Sequence, residues 1–129
     1  MIIINNQKYA DYTIDISWGN FSVHSCGIHR KGIAPFITFN IDDNIYIGLE
    51  FMVAKEMFAS IKLNTIINIE NYLSDITYED ELGWISLITG KYHCQITRID
   101  DKKFNLKLTV NADEVDIINI KLDSDIILL

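Results

Sequence analysis

From Phe104 to Val110 every second residue is apolar: Phe104, Leu106, Leu108 and Val110 alternate with Asn105, Lys107 and Thr109. Successive side chains of a strand leave opposite faces, so a period of two specifies a strand buried on one side. Upstream, Cys94 and Ile96 take one face while His93, Gln95 and Thr97 take the other. Between the two runs stands Asp100-Asp101-Lys102-Lys103, a short polar break of the kind that joins hairpin strands. The stretch Lys91 to Val110 is therefore the expected centre of a sheet that the rest of the chain completes.

The same period recurs elsewhere. Tyr12, Ile14, Ile16 and Trp18 alternate with Thr13, Asp15 and Ser17, and Gly19-Asn20 is expected to end that strand. Phe21 and Val23 open another, with Ser22, His24 and Cys26 on its opposite face. Gly27 to Pro35 holds two glycines and the single proline, which predicts a loop. Ile37, Phe39 and Ile41, a turn at Asp42-Asp43-Asn44, and Ile45, Ile47 and Leu49 read as a second hairpin. Phe51 to Leu63 satisfies both periods, so one short helix near 51–61 and a further strand are equal alternatives. Ile67 and Ile69 return to strand. Ser74 to Gly83 is polar and acidic and reads as a loop, followed by a short strand from Trp84 to Ile88. Asn111 to Glu114 is expected to turn the chain into a last strand, Ile118, Ile120, Leu122, Ile126 and Leu128.

Composition agrees. The 129 residues form one expected domain, with 25 Ile and 11 Asn against five Ala and two Gln. That usage favours strands over helices. Eight or nine strands with frequent turns predict a mainly β domain over 1–129, an antiparallel β-sandwich or a small, partly closed barrel. Both termini, Met1 to Ile4 and Ile126 to Leu129, are apolar. Such ends either pair inside a sheet or pack against another subunit, which raises a homo-oligomer as one expectation. Nothing near the amino terminus resembles a secretory signal and no apolar run approaches a membrane span, so a cytoplasmic location without membrane contact is expected.

The formal charge of −7 is unevenly spread. Residues 63–90 hold five acids and no base, whereas 91–110 hold five bases and two acids. An acidic chain disfavours phosphate backbones, so no nucleic-acid partner is expected. It suits a basic protein partner or simple solubility. Arg98, Lys102, Lys103 and Lys107 form a small basic patch, expected to face the neighbouring acids or water.

Two constellations carry candidate chemistry. His24, Cys26, His29 and His93 could supply four nitrogen and sulfur ligands to zinc if their strands were neighbours. Their spacing matches no standard zinc motif, and a surface histidine or a buried cysteine needs no function to explain it. Tyr72, Asp75, Tyr78, Glu79, Asp80, Glu81 and Trp84 place aromatics beside carboxylates, a composition that suits a basic protein surface. The plainer reading is a solvated loop whose aromatics tuck into the core. No phosphate-binding, dinucleotide, nucleophile-elbow or metalloprotease motif occurs, and no cofactor is implied. Three functions follow: a non-catalytic interaction module, such as an acidic inhibitor of the immunity type or a subunit of an assembly; a metal-dependent enzyme on the His/Cys set; and a small-ligand binder with a barrel cavity lined by Trp18, Phe39 and Phe104.

Overall fold

The central hairpin exists with the expected phase. In the computed structural model, which describes residues 1–112 and 118–129 (for Ser25 the backbone only), β9 (Lys91–Arg98) pairs antiparallel with β10 (Lys103–Ala112). Their register sets Leu106 opposite Ile96 and Leu108 opposite Cys94. Asp100 closes the turn: its Oδ1 accepts the backbone N–H of Lys102 at 2.9 Å and of Lys103 at 2.7 Å. Those two bonds favour the charged carboxylate and hold its pKa below the usual value.

β11 (Ile118–Ile127) lies along the other side of β10, and β1 (Ile2–Ile4) pairs with the middle of β11, at Ile120 to Leu122, so both apolar ends of the chain lie inside one sheet. β2 (Gln7–Tyr9) and β6 (Ile66–Asn68) form its edges, giving the order β2-β1-β11-β10-β9-β6. The second sheet has the order β3-β4-β5-β7-β8, from β3 (Thr13–Ser25), β4 (Ile28–Ile41), β5 (Ile45–Phe51), β7 (Leu73–Asp80) and β8 (Gly83–Ser86). Pairing is antiparallel throughout. Both sheets are open, so the architecture is a sandwich and not a barrel. Its core joins Phe104, Leu106 and Leu108 of one sheet to Ile37, Phe39, Ile47, Leu49 and Ile76 of the other. Ser124, the buried polar side chain among the described residues, accepts the Tyr12 hydroxyl at 2.8 Å.

Four expectations need correction. The strand from residue 12 does not stop at Gly19-Asn20; β3 runs on to Ser25. The predicted loop Gly27 to Pro35 is strand β4. The reversal is confined to Cys26-Gly27, whose φ values of 49° and 78° are both positive, as a two-residue hairpin turn of the primed type requires. Pro35 stands one residue beyond the point where β5 begins to pair with β4, at Phe36, a position where the ladder with β5 needs no N–H from it. The acidic stretch Ser74 to Gly83 is likewise mostly strand, because Ile76 and Tyr78 point inward between outward polar residues. Arg98 does not face neighbouring acids: half-buried, it continues the inward phase of Cys94 and Ile96, and its guanidinium lies 5.6 Å from the Phe104 ring.

The segment 51–63 divides between its two alternatives. Phe51 ends β5, and α1 (Lys55–Ser60) is a six-residue helix whose buried residue is Phe58. Tyr72 belongs to a short 3-10 turn, Glu70–Tyr72. Of the expected turn at Asn111 to Glu114, Asn111 and Ala112 are still β10, and Asp113 and Glu114 lie outside the described residues. No helix among the described residues is long and apolar enough to cross a membrane.

Candidate interaction face

The seven residues of the acidic, aromatic stretch divide into four groups. Tyr78 points into the core and is 8% exposed; its hydroxyl donates to Asp80 Oδ2 at 3.2 Å. Asp75 and Asp80 are committed to the hairpin itself. Asp75 accepts the Ser86 hydroxyl at 2.6 Å and the Thr77 hydroxyl at 3.2 Å, which ties β7 to β8. Asp80 Oδ1 accepts the Leu82 N–H at 2.8 Å and so holds the turn. Tyr72 is half-buried at the entry to β7. That leaves Glu79, Glu81 and Trp84 facing solvent, with Trp84 71% exposed.

Neighbouring strands add outward-facing residues that the strand order brings to this face. On β5, Tyr46, Gly48 and Glu50 share the outer face, opposite Glu79, Thr77 and Asp75 respectively. Phe36 on β4 lies opposite Glu50. A Cβ at Gly48 would stand 2.9 Å from the Tyr46 hydroxyl and 3.2 Å from the Phe36 ring, so both aromatics lie across the glycine. Burial, and then the charge of Glu79, push the Tyr46 pKa up. Leu82, at the tip of the β7–β8 turn, is 96% exposed.

Electrostatically this face is one-sided. Glu50 and Asp75 sit directly opposite each other, an arrangement that opposes strand pairing. The ion contacts among the described residues are His93 with Glu70 at 3.7 Å and Lys103 with Asp125 at 3.6 Å, and neither touches this face. β8 is also an edge strand, and among the described residues one side of its backbone carries no partner strand.

Comparison with family models, curated proteins and solved structures finds no match.

The His/Cys set is divided by the fold. His24 and His29 face each other across the β3–β4 hairpin, with Cys26 exposed in the turn between them. His93 lies on the other sheet, on the outward face of β9, beside Glu70. Among the described residues no three side chains of His, Cys, Asp or Glu gather where one ion could reach them. Of the residues expected to line a barrel cavity, Phe39 and Phe104 are fully buried in the core and Trp18 packs edge-on against Phe58.

Two buried protons set a pH window. Burial first, and then Glu70, raise the Cys94 thiol from its ordinary 9.0 to about 12. Burial first, and then Asp80, raise Tyr78 from 10.0 to about 12. Both groups are neutral when protonated, so the native state keeps protons that the unfolded chain releases. Stability from this source is complete below pH 9, falls as pH rises past 9 and 10, and is gone by about 12. Urea midpoints measured across that interval should decline. Cys94→Ala should flatten the decline from its start, and Tyr78→Phe its later part; an unchanged slope in both variants would refute the assignment. Cys94 should also resist thiol reagents until the protein unfolds.

Proposed function

We propose that the protein is a non-catalytic interaction module that captures a basic protein through the outer face and open edge of the β3–β8 sheet. The observation that carries this reading is the conjunction at the β7–β8 hairpin: Trp84, on a strand with one side unpaired among the described residues, and Leu82, in the turn before it, stand exposed beside Glu79 and Glu81. Exposed aromatics act as anchors because a large, stiff ring buries much area at little entropic cost. Carboxylates without basic neighbours attract and orient a cationic surface. The edge backbone offers hydrogen bonds to an extended segment of the partner. An acidic inhibitor seated on a basic toxin or enzyme has this chemistry.

The test is affinity capture from the source cell, with salt and variants as controls. A basic protein should be retained, and lost at high salt. Trp84→Ala should weaken binding by about 2 kcal/mol, roughly thirtyfold, with the melting temperature unchanged because the ring is solvent-exposed. The charge reversal E79K/E81K should abolish capture. Equal retention by wild type and both variants, or no basic protein retained, would overturn the proposal.

A further inference from the structure

Beyond Phe36, β4 loses its β5 neighbour while its pairing with β3 continues to Ser25 opposite Ile28. The outer part of this hairpin is thus a two-stranded ribbon. Near its tip His24 and His29 occupy directly opposed positions on one face. Their rings lie parallel, 3.9 Å apart between centroids and 11° from coplanar. Ser22, two residues before His24 on the same face, holds its hydroxyl 3.0 Å from His29 Nε2.

We infer that His24 and His29 form a two-point chelate for a borderline divalent cation, Cu²⁺ or Zn²⁺. Imidazole nitrogen is the donor these ions prefer, and copper outranks zinc at a given nitrogen site. Directly opposed positions on paired strands bring two side chains from separate parts of the chain to one point. The hairpin therefore supplies in advance the proximity that two independent histidines lack. Both rings are exposed and can turn about their terminal torsions to converge on an ion, whose remaining positions water fills. Ser22 is placed as the outer partner: with His29 as the Nε2–H tautomer its hydroxyl accepts, and the Nδ1 lone pair is left for the ion.

Lys31 shares this face opposite Ser22, while Arg30 is opposite Val23 on the other face. Their positive charge repels a cation and makes the site weaker than a four-ligand zinc centre. His93 takes no part, being on the other sheet.

The experiment uses the full chain with its affinity tag removed, titrated with Cu²⁺ and then Zn²⁺ by calorimetry and by histidine NMR. One equivalent should bind, more tightly for copper, with the ring signals of His24 and His29 shifting together and that of His93 unmoved. His24→Ala and His29→Ala should each weaken binding by on the order of a hundredfold, and Ser22→Ala by about tenfold, the scale of outer partners. Acidification to about pH 5 should release the ion, because a protonated imidazole cannot ligate. These substitutions are exposed, so circular dichroism should stay that of the wild type. Cys26→Ser should leave the affinity within a few-fold. No binding, binding insensitive to either histidine variant, or binding lost only with Cys26→Ser would overturn the inference.

Discussion

Phe58→Ala is expected to destabilise the fold by about 4 kcal/mol, the scale of emptying a fully buried aromatic site. In a protein of this size that lowers the melting temperature by roughly 15 °C. Phe58 is 1% exposed and meets three rings edge-on: Trp18 at 6.5 Å, Phe51 at 6.3 Å and Phe104 at 6.4 Å. Such pairs add favourable energy beyond the area they bury. The three partners belong to β3, β5 and β10, so this one side chain connects α1 to both sheets. The helix cannot stand without it. Six residues are too few to offset helix nucleation, and Ala54 at the amino end offers no side-chain cap. Phe58→Leu keeps most of the volume and should cost less than half as much. Urea denaturation measures both values, and near-UV circular dichroism reports the aromatic cluster. A cost below about 1 kcal/mol for the alanine variant would mean that neighbouring rings close the gap, and the helix would not depend on this contact.

Phe58 also shows how the chain discloses its fold. The strands with one buried face announced themselves, because burial on one side writes itself as alternation. Phe104 to Val110, Ile118 to Leu128, and Ile45 to Leu49 stand with the expected residues inward. The segment around Phe58 was ambiguous because Phe51 belongs to a strand and Phe58 to a helix, and a window spanning both fits both periods. The β3–β4 ribbon was hidden for a different reason. Its outer half leaves the sandwich: Phe21 and Val23 on β3 still alternate with exposed neighbours, but Ile28 to Lys31 on β4 are all exposed, and Gly27, Gly32 and Pro35 dominate the pattern there. Only the consecutive positive φ values of Cys26 and Gly27 show where the chain turns. In the acidic stretch the residue types were legible and their roles were not. Separating Glu79, Glu81 and Trp84 from Asp75, Tyr78 and Asp80 required knowing which face of β7 each occupies and which carboxylates the hairpin consumes. Tyr46, Phe36 and Glu50 joined the same face only through strand order, which local patterning does not encode. His93 was separated from His24 and His29 by the same fact.

Arg98 is legible in the sequence: two residues beyond Ile96, it sits in the inward phase, where a charge demands an explanation. Its guanidinium donates to four backbone carbonyls. Nη1 reaches Ala59 O and Ile61 O, both at 2.9 Å, Nη2 reaches Asp101 O at 2.8 Å, and Nε reaches Asp100 O at 3.1 Å. The first two belong to the end of α1 and the residue that follows it, where carbonyls lack helical partners. The other two fix the β9–β10 turn. Arg98→Ala should therefore cost about 3 kcal/mol, less than four buried charge-assisted bonds would suggest because most of these contacts are reached by solvent. The melting temperature should fall by roughly 10 °C. Arg98→Lys should recover little of this, since a point ammonium cannot span carbonyls that a planar fork meets from several sides. The decisive measurement is a double-mutant cycle with Phe58→Ala. Once Phe58 is gone and α1 is loose, two of the four acceptors are no longer held in place, so removing Arg98 should cost at least 1 kcal/mol less than it does in the wild type. Additive losses would show that the arginine secures the turn alone, and that α1 is held by its aromatic anchor without help from the guanidinium.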